Sequence, residues 1–219
     1  MFNENTAWEA ARKDVRYTVS TLEAVGIHEK QAVAAKELLA SWDTIEASRL
    51  AAEDELVAGN ALVALVDAQL DDLVALLAQK LRGELGRDDS PEFRRFFPEP
   101  PSEVIRLGLE SELARVKRFA VVAGEIPPPE AAAPVLAAIQ EMSARGQQAL
   151  TRREEATTQR ARVSLRIQTW KEQANAVRRS IANQLEAHAI AKKLPPGYAD
   201  RFFPAVLRSQ KKPAPPPAV

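Results

Sequence analysis

The chain contains no cysteine, which removes disulfide frameworks, thiolate metal sites and cysteine nucleophiles at once. Aromatic residues are only 5% of the chain although hydrophobic residues reach 46%. Its core must therefore be filled mainly by Ala, Leu, Val and Ile, as where helices approach closely. The eight glycines are scattered and build neither a phosphate-cradling loop nor a nucleophile elbow. No apolar run approaches the roughly 18 to 20 residues of a membrane-spanning helix. The opening residues Met1-Phe2-Asn3-Glu4-Asn5-Thr6 have no basic region and no apolar segment of a secretory leader. A cytoplasmic protein is the expectation.

Histidine is nearly absent too. His28 and His188 are the only two, and neither is preceded by Glu at three residues. The paired Glu-x-x-His motifs of a di-metal helical bundle are therefore missing, and both histidines are expected to be solvated or to cap helices. Asp67, Asp71 and Asp72 cluster in an apolar stretch but lack the oxygen-rich spacing of a calcium loop. They are expected on a solvated or partner-facing stripe. No catalytic, cofactor-binding or metal-binding residues are assigned, and no enzyme is expected.

Proline is absent from most of the chain. The fifteen prolines fall within 91–101, 127–134, 195–204 and 213–217. An internal proline removes a backbone donor and clashes with the preceding turn, so the proline-free stretches are where long helices fit. A short helix is expected from Asn5 or Thr6 to Ala24, stopped by Gly26. A second is expected from Ser102 to Val122, stopped by Gly124.

Two longer helices follow. From Leu38, the positions Trp42, Ile45, Arg49, Ala52, Leu56, Gly59, Val63, Val66, Leu70, Leu73 and Leu77 step by threes and fours, a heptad seam. In the second half Val135, Ile139, Met142, Gly146, Ala149, Arg153, Ala156, Arg160, Val163, Ile167, Trp170, Ala174, Val177 and Ile181 keep the same rhythm. Gly59 weakens the first helix by about 1 kcal/mol relative to Ala, which raises the alternative of a fold-back there. The equivalent place in the second half holds Leu165 and Arg166, and this favours continuous helices.

What the chain does have, it has twice. Pro91-Glu92-Phe93-Arg94-Arg95-Phe96-Phe97-Pro98 returns as Pro196-Gly197-Tyr198-Ala199-Asp200-Arg201-Phe202-Phe203-Pro204. Each copy closes a long helical stretch, which implies a tandem duplication. The fold class read from this is all-α: an elongated helical bundle or coiled coil of short helix, long helix and aromatic closure, twice over. The expected divisions are 1–98, 99–204 and a proline-rich basic tail at 205–219. Phe93, Phe96, Phe97, Tyr198, Phe202 and Phe203 have two readings, as caps on the ends of their own bundles or as exposed anchors for a partner.

Net charge is zero, but residues 1–100 carry 11 basic and 19 acidic side chains while 151–219 carry 14 and 5. A basic stripe of Arg152, Arg153, Arg160, Arg162, Arg166, Lys171, Arg178 and Arg179 lies on the last long helix. It is expected to pair with the acidic half; the alternative is contact with nucleic acid or an anionic membrane. The function expected overall is a non-enzymatic scaffolding subunit, associating with itself or with another protein through long helices and closures.

Overall fold

The structure, a computed structural model, describes residues 1–85, 88 and 90–204. Of these, 83% are helical and none is in a strand. In chain order the elements are α1 (Trp8–Val25), α2 (Glu29–Leu85), α3 (Pro91–Phe96), α4 (Pro101–Val104), α5 (Leu109–Glu125), α6 (Ala133–Lys192) and a 3-10 helix (Ala199–Phe202). The tail expected at 205–219 lies outside the described residues.

Local chemistry sets these boundaries. α1 ends where Gly26 takes φ +71° and donates its N–H to the Leu22 carbonyl, the left-handed cap that glycine adopts without a Cβ penalty. α3 begins with Pro91 in its first turn, and the Ser90 hydroxyl accepts the Phe93 N–H at 3.2 Å. The single helix expected at 102–122 is instead two, because the chain leaves helical geometry between Ile105 and Gly108, which is extended. Gly124 does not stop α5. The helix runs to Glu125 and ends at Ile126, held extended by the proline that follows.

α2 and α6 are unbroken over 57 and 60 residues. Their seams face inward: Trp42, Ala52, Val66, Leu70, Leu77, Ile139, Ala149, Val163, Trp170 and Ile181 are buried. Arg160 is the exposed exception. Arg49 is accommodated at its seam position by bonding Glu46 one turn back through Nε and Nη2 at 2.8 and 2.7 Å.

The described chain forms two compact units. The first comprises residues 1–50 with those from 162 onward, the second residues 51–161. Each unit therefore draws on both sequence halves, a division by contact that differs from the division at 98/99 by repeat. In the first unit α1 packs on the 3-10 helix of the second closure, with Val19, Leu22, Ala35, Ile181, Leu185 and Phe202 as a core. In the second unit α3, which is the first closure, packs on α5, and Leu70, Leu77, Phe93, Phe96, Leu113, Val116, Phe119 and Ile139 are buried together. Each closure thus covers the short helix of the other half, whereas the repeat pattern alone places it on its own bundle.

Within the second unit the approach of α2 to α6 explains Gly59. A Cβ there would stand 3.2 Å from the Arg153 Cα, so this glycine marks a helix contact and no fold-back. A Cβ added at Gly83, in the same helix, would meet nothing within 4 Å. Gly83→Ala is therefore expected to stabilise the protein by about 0.5–1 kcal/mol from helix propensity. Gly59→Ala is expected to lower the melting temperature instead, and thermal denaturation of the two variants side by side checks the contrast. A second expectation concerns the halves. Residues 1–98 and 99–204 produced separately are each expected to lack a cooperative melt as monomers, and mixing them should restore one in calorimetry.

Candidate docking surface and buried polar clusters

The closures are largely enclosed. Phe93, Phe96, Phe97 and Phe202 are buried, whereas Tyr198 and Phe203 are half-buried. Phe97 stacks obliquely on Phe119 of α5 at 5.0 Å between centroids, and Phe202 meets Tyr198 edge-on at 5.2 Å. Four of the six candidate anchors are thus core residues of this chain, because rings this large fill the space at the end of a helix group. A partner would reach them only by opening a unit.

The basic stripe is largely engaged within the chain. Arg152 bonds Glu55 at 3.0 Å, and Arg166 reaches the Ser48 hydroxyl at 3.3 Å. Arg153 lies half-buried against Gly59. Lys171 is buried and donates to the backbone carbonyls of Asn3 and Glu4. Arg178 lies over the Phe2 ring at 4.6 Å and 3.6 Å from Asp14, while Arg179 approaches the Met1 sulfur. Arg160 and Arg162 are exposed.

These contacts disclose an anchor that the sequence pattern does not announce. Asn175 brackets Phe2, accepting its N–H at 2.8 Å and donating to its carbonyl at 2.7 Å. Phe2 then stacks on Trp170, Trp170 meets Trp8 edge-on at 4.9 Å, and Trp8 stacks on Trp42 at 5.0 Å. Trp8 also donates to Glu46 at 2.8 Å, and Trp170 to the Leu38 carbonyl at 3.0 Å. The only signal for this in the sequence is three tryptophans at helical spacing; a two-residue backbone clamp leaves no periodic trace.

The two histidines also come together, 160 positions apart, with ring centroids at 4.9 Å. Of the two alternatives expected, His28 is not solvated: it is buried, shares a 3.0 Å hydrogen bond with the Tyr198 hydroxyl, and stands just before α2, its carbonyl accepting the Ala32 N–H. Burial, aided by the nearby His188 charge, lowers its pKa. Burial disfavours the protonated imidazole, because charging it there costs desolvation.

A second polar cluster lies in the second unit. Glu112 of α5 is fully buried, and neither of its carboxyl oxygens has a hydrogen-bond partner among the described residues. One oxygen of Asp67 and one of Asp71 on α2 are likewise buried without a partner. Burial, then the charges of Asp71 and Asp67, push the Glu112 pKa up to about 8. Burial also raises Asp71. Of the stripe expected at 67–72, solvated or partner-facing, Asp72 is exposed, while Asp67 and Asp71 are half-buried and their charges act on Glu112 of α5. No group of three or more His, Asp or Glu among the described residues is arranged to hold a metal.

The outer face of α2 leaves a run of apolar side chains uncovered in the second unit. Asp54, Val57, Ala61, Ala64, Ala68, Asp72, Ala75 and Gln79 step by threes and fours on one face, with Leu65 and Leu76 on its shoulder, and all are exposed. Val57 and Leu65 stand 69% and 53% exposed, large values for side chains on a helical stripe. The charges within the stripe are both negative. Apolar spacing is visible in the sequence here, but the stronger inner seam of the same helix masks it.

Among the described residues no helix is long and apolar enough to cross a membrane. The chain matches no protein-family model, no curated protein and no solved structure.

The His28 arrangement carries a pH dependence of definite sign. With its folded pKa below the ordinary 6.5, the unfolded chain takes up the proton first. Stability from this group is full above that value and is lost as pH falls through the folded pKa. Denaturation followed by tryptophan fluorescence is expected to show midpoints that fall as pH drops below the ordinary 6.5, with a flatter profile for His28→Gln. The probe is selective, since Trp8, Trp42 and Trp170 all lie in the first unit.

Proposed function

We propose that this protein is a non-enzymatic docking subunit that receives an amphipathic helix of another protein on the outer face of α2. The observation that carries the reading is the exposed stripe from Val57 to Leu76. Contiguous exposed apolar surface of this kind marks interaction sites, and helix-in-groove recognition reads such three- and four-residue spacing. Charge identifies the partner's chemistry. Asp54 and Asp72 lie 18 positions apart, five turns, on the same face. A second copy of the stripe would bring acid against acid, so the fitting occupant is a helix whose apolar face is flanked by Lys or Arg.

The duplication belongs to the same reading. Short helices of 18 and 17 residues precede long ones of 57 and 60, and each long helix is followed by an aromatic closure. Reciprocal covering of α1 and α5 by the other half's closure is what two copies of one hairpin, each completing the other, would produce. The alternative, an anionic membrane or nucleic acid held by the basic stripe, is less well supported, because Arg152, Lys171 and Arg178 are occupied inside the chain.

Fluorescence anisotropy with two synthetic helical peptides tests the docking reading. Both carry one Leu/Ala face, one flanked by Lys and the other by Glu. The Lys-flanked peptide is expected to bind, more weakly as salt rises, and to lose about tenfold or more in affinity to Leu65→Asp with the melting temperature unchanged. Equal affinity for both peptides, no binding to either, or a stable dimer that masks the stripe would overturn it.

A further inference from the structure

We propose that Glu112, Asp71 and Asp67 form a proton-binding site in the second unit, where one shared proton ties α5 to α2 and its release loosens that contact. The inference stands independently of what docks on the outer face of α2.

The geometry leads to it. Ionised carboxylates only accept hydrogen bonds, so three of them facing each other hold oxygens that no neighbour among them can satisfy. The fully buried Glu112 has both oxygens in that state, and Asp67 and Asp71 each have one. Leaving such groups buried without a donor is costly, and placing like charges together without water costs more. A single proton resolves both problems. Protonated Glu112 becomes a donor, Asp71 becomes its acceptor, and the net charge of the cluster falls by one.

Among the described residues the surroundings supply no competing cation. The ionisable groups whose charge acts on Glu112 are Asp71 and Asp67 from α2, and Asp72 acts in turn on Asp71. On its own helix, Arg115 is bonded to Glu99 at 3.1 Å and over half exposed. From α6, a Cβ on Gly146 would meet Leu113 at 3.1 Å and Leu109 at 3.4 Å, while Arg153 and Glu154 line a groove with Glu110 and Lys117 of α5. Glu112 sits in the first turn of α5, where the helix dipole favours the ionised form. Burial and two neighbouring acids outweigh that single favourable field.

The sign follows from linkage. Glu112 holds its proton in the fold up to about 8, and in the unfolded chain only to about 4.5. Stability from this group is complete below the lower value and declines as pH rises toward the upper one. Deprotonation would leave the buried Glu112 charge near those of the half-buried Asp71 and Asp67, and separation of α5 from α2 relieves it. Leu109, Leu113, Val116 and Phe119, buried on α5, would then be uncovered.

The experiment uses the full chain labelled with carboxyl carbon-13 glutamate and titrated by NMR, with Glu112 assigned by its loss in Glu112→Gln. One glutamate is expected to titrate near 8, apart from the rest. Amide exchange along α5, corrected for intrinsic rates, is expected to show opening that increases up to about tenfold per pH unit below that midpoint, one proton being linked. In Glu112→Gln this pH dependence should disappear. All glutamates titrating in the ordinary range would overturn the proposal, as would a large upward shift in melting temperature on adding Ca²⁺, Mg²⁺ or Mn²⁺ alone, which would make it a cation site. If Glu112→Gln fails to fold, selective Glu labelling combined with Glu112→Asp assigns the same resonance. Normal titration with unchanged α5 exchange would reject the switch outright.

Discussion

Everything in this fold depends on the burial that two uninterrupted helices require. A helix of 57 or 60 residues cannot turn back to cover its own apolar seam, so that seam must be met by other elements. Where α2 and α6 face each other the contact is close, and it is built from small residues: Ala52, Gly59, Ala149 and Ala156 are buried on it. Small side chains admit near backbones but contribute little area apiece. Short helices and aromatic closures have to supply the rest, which explains why α1 and α5 take the flanking positions and why the rings collect where those helices end.

The same requirement accounts for the mixed parentage of each unit. α2 belongs to the first unit up to Leu50 and to the second from Ala51. A closure attached to the end of α2 therefore falls in the second unit, beside α5, and the closure after α6 falls in the first, beside α1. Each closure therefore belongs to a different unit from the short helix that precedes it in sequence. The exchange needs no special recognition between halves; it follows from helix length.

Sequence patterning makes much of this legible. The inner seam of α2 and α6 can be traced residue by residue because helical burial is periodic, and the closures can be found because they recur. Helix ends are readable where backbone chemistry is local, as at Gly26, and misleading where they rest on composition, as at Gly124. The features hidden from the sequence share one physical character: they join residues far apart in the chain with no period. His28 and His188, Phe2 and Asn175, and Glu112 with Asp71 each depend on which segment faces which helix, and a single residue facing across leaves no pattern. The acidic cluster at 67–72 stands out in the sequence, but its burial does not, because nothing local distinguishes a carboxylate turned toward solvent from one turned toward another helix.

The two units consequently resemble each other in construction and differ in what they bury. The first encloses a histidine whose pKa burial lowers, beside a tyrosine hydroxyl. The second encloses a carboxyl group whose pKa burial and two neighbouring acids raise to about 8. Both shifts favour the uncharged form, as low-dielectric surroundings demand. One is a base and the other an acid, however, so the same demand weakens the first unit on acidification and the second on alkalinisation. If the halves descend from one ancestor, divergence has acted on the polar groups inside the frame more than on the frame itself. Lengths of helix and placement of rings are fixed by packing, whereas a single buried titratable side chain can change the response of a unit to pH while leaving its architecture intact.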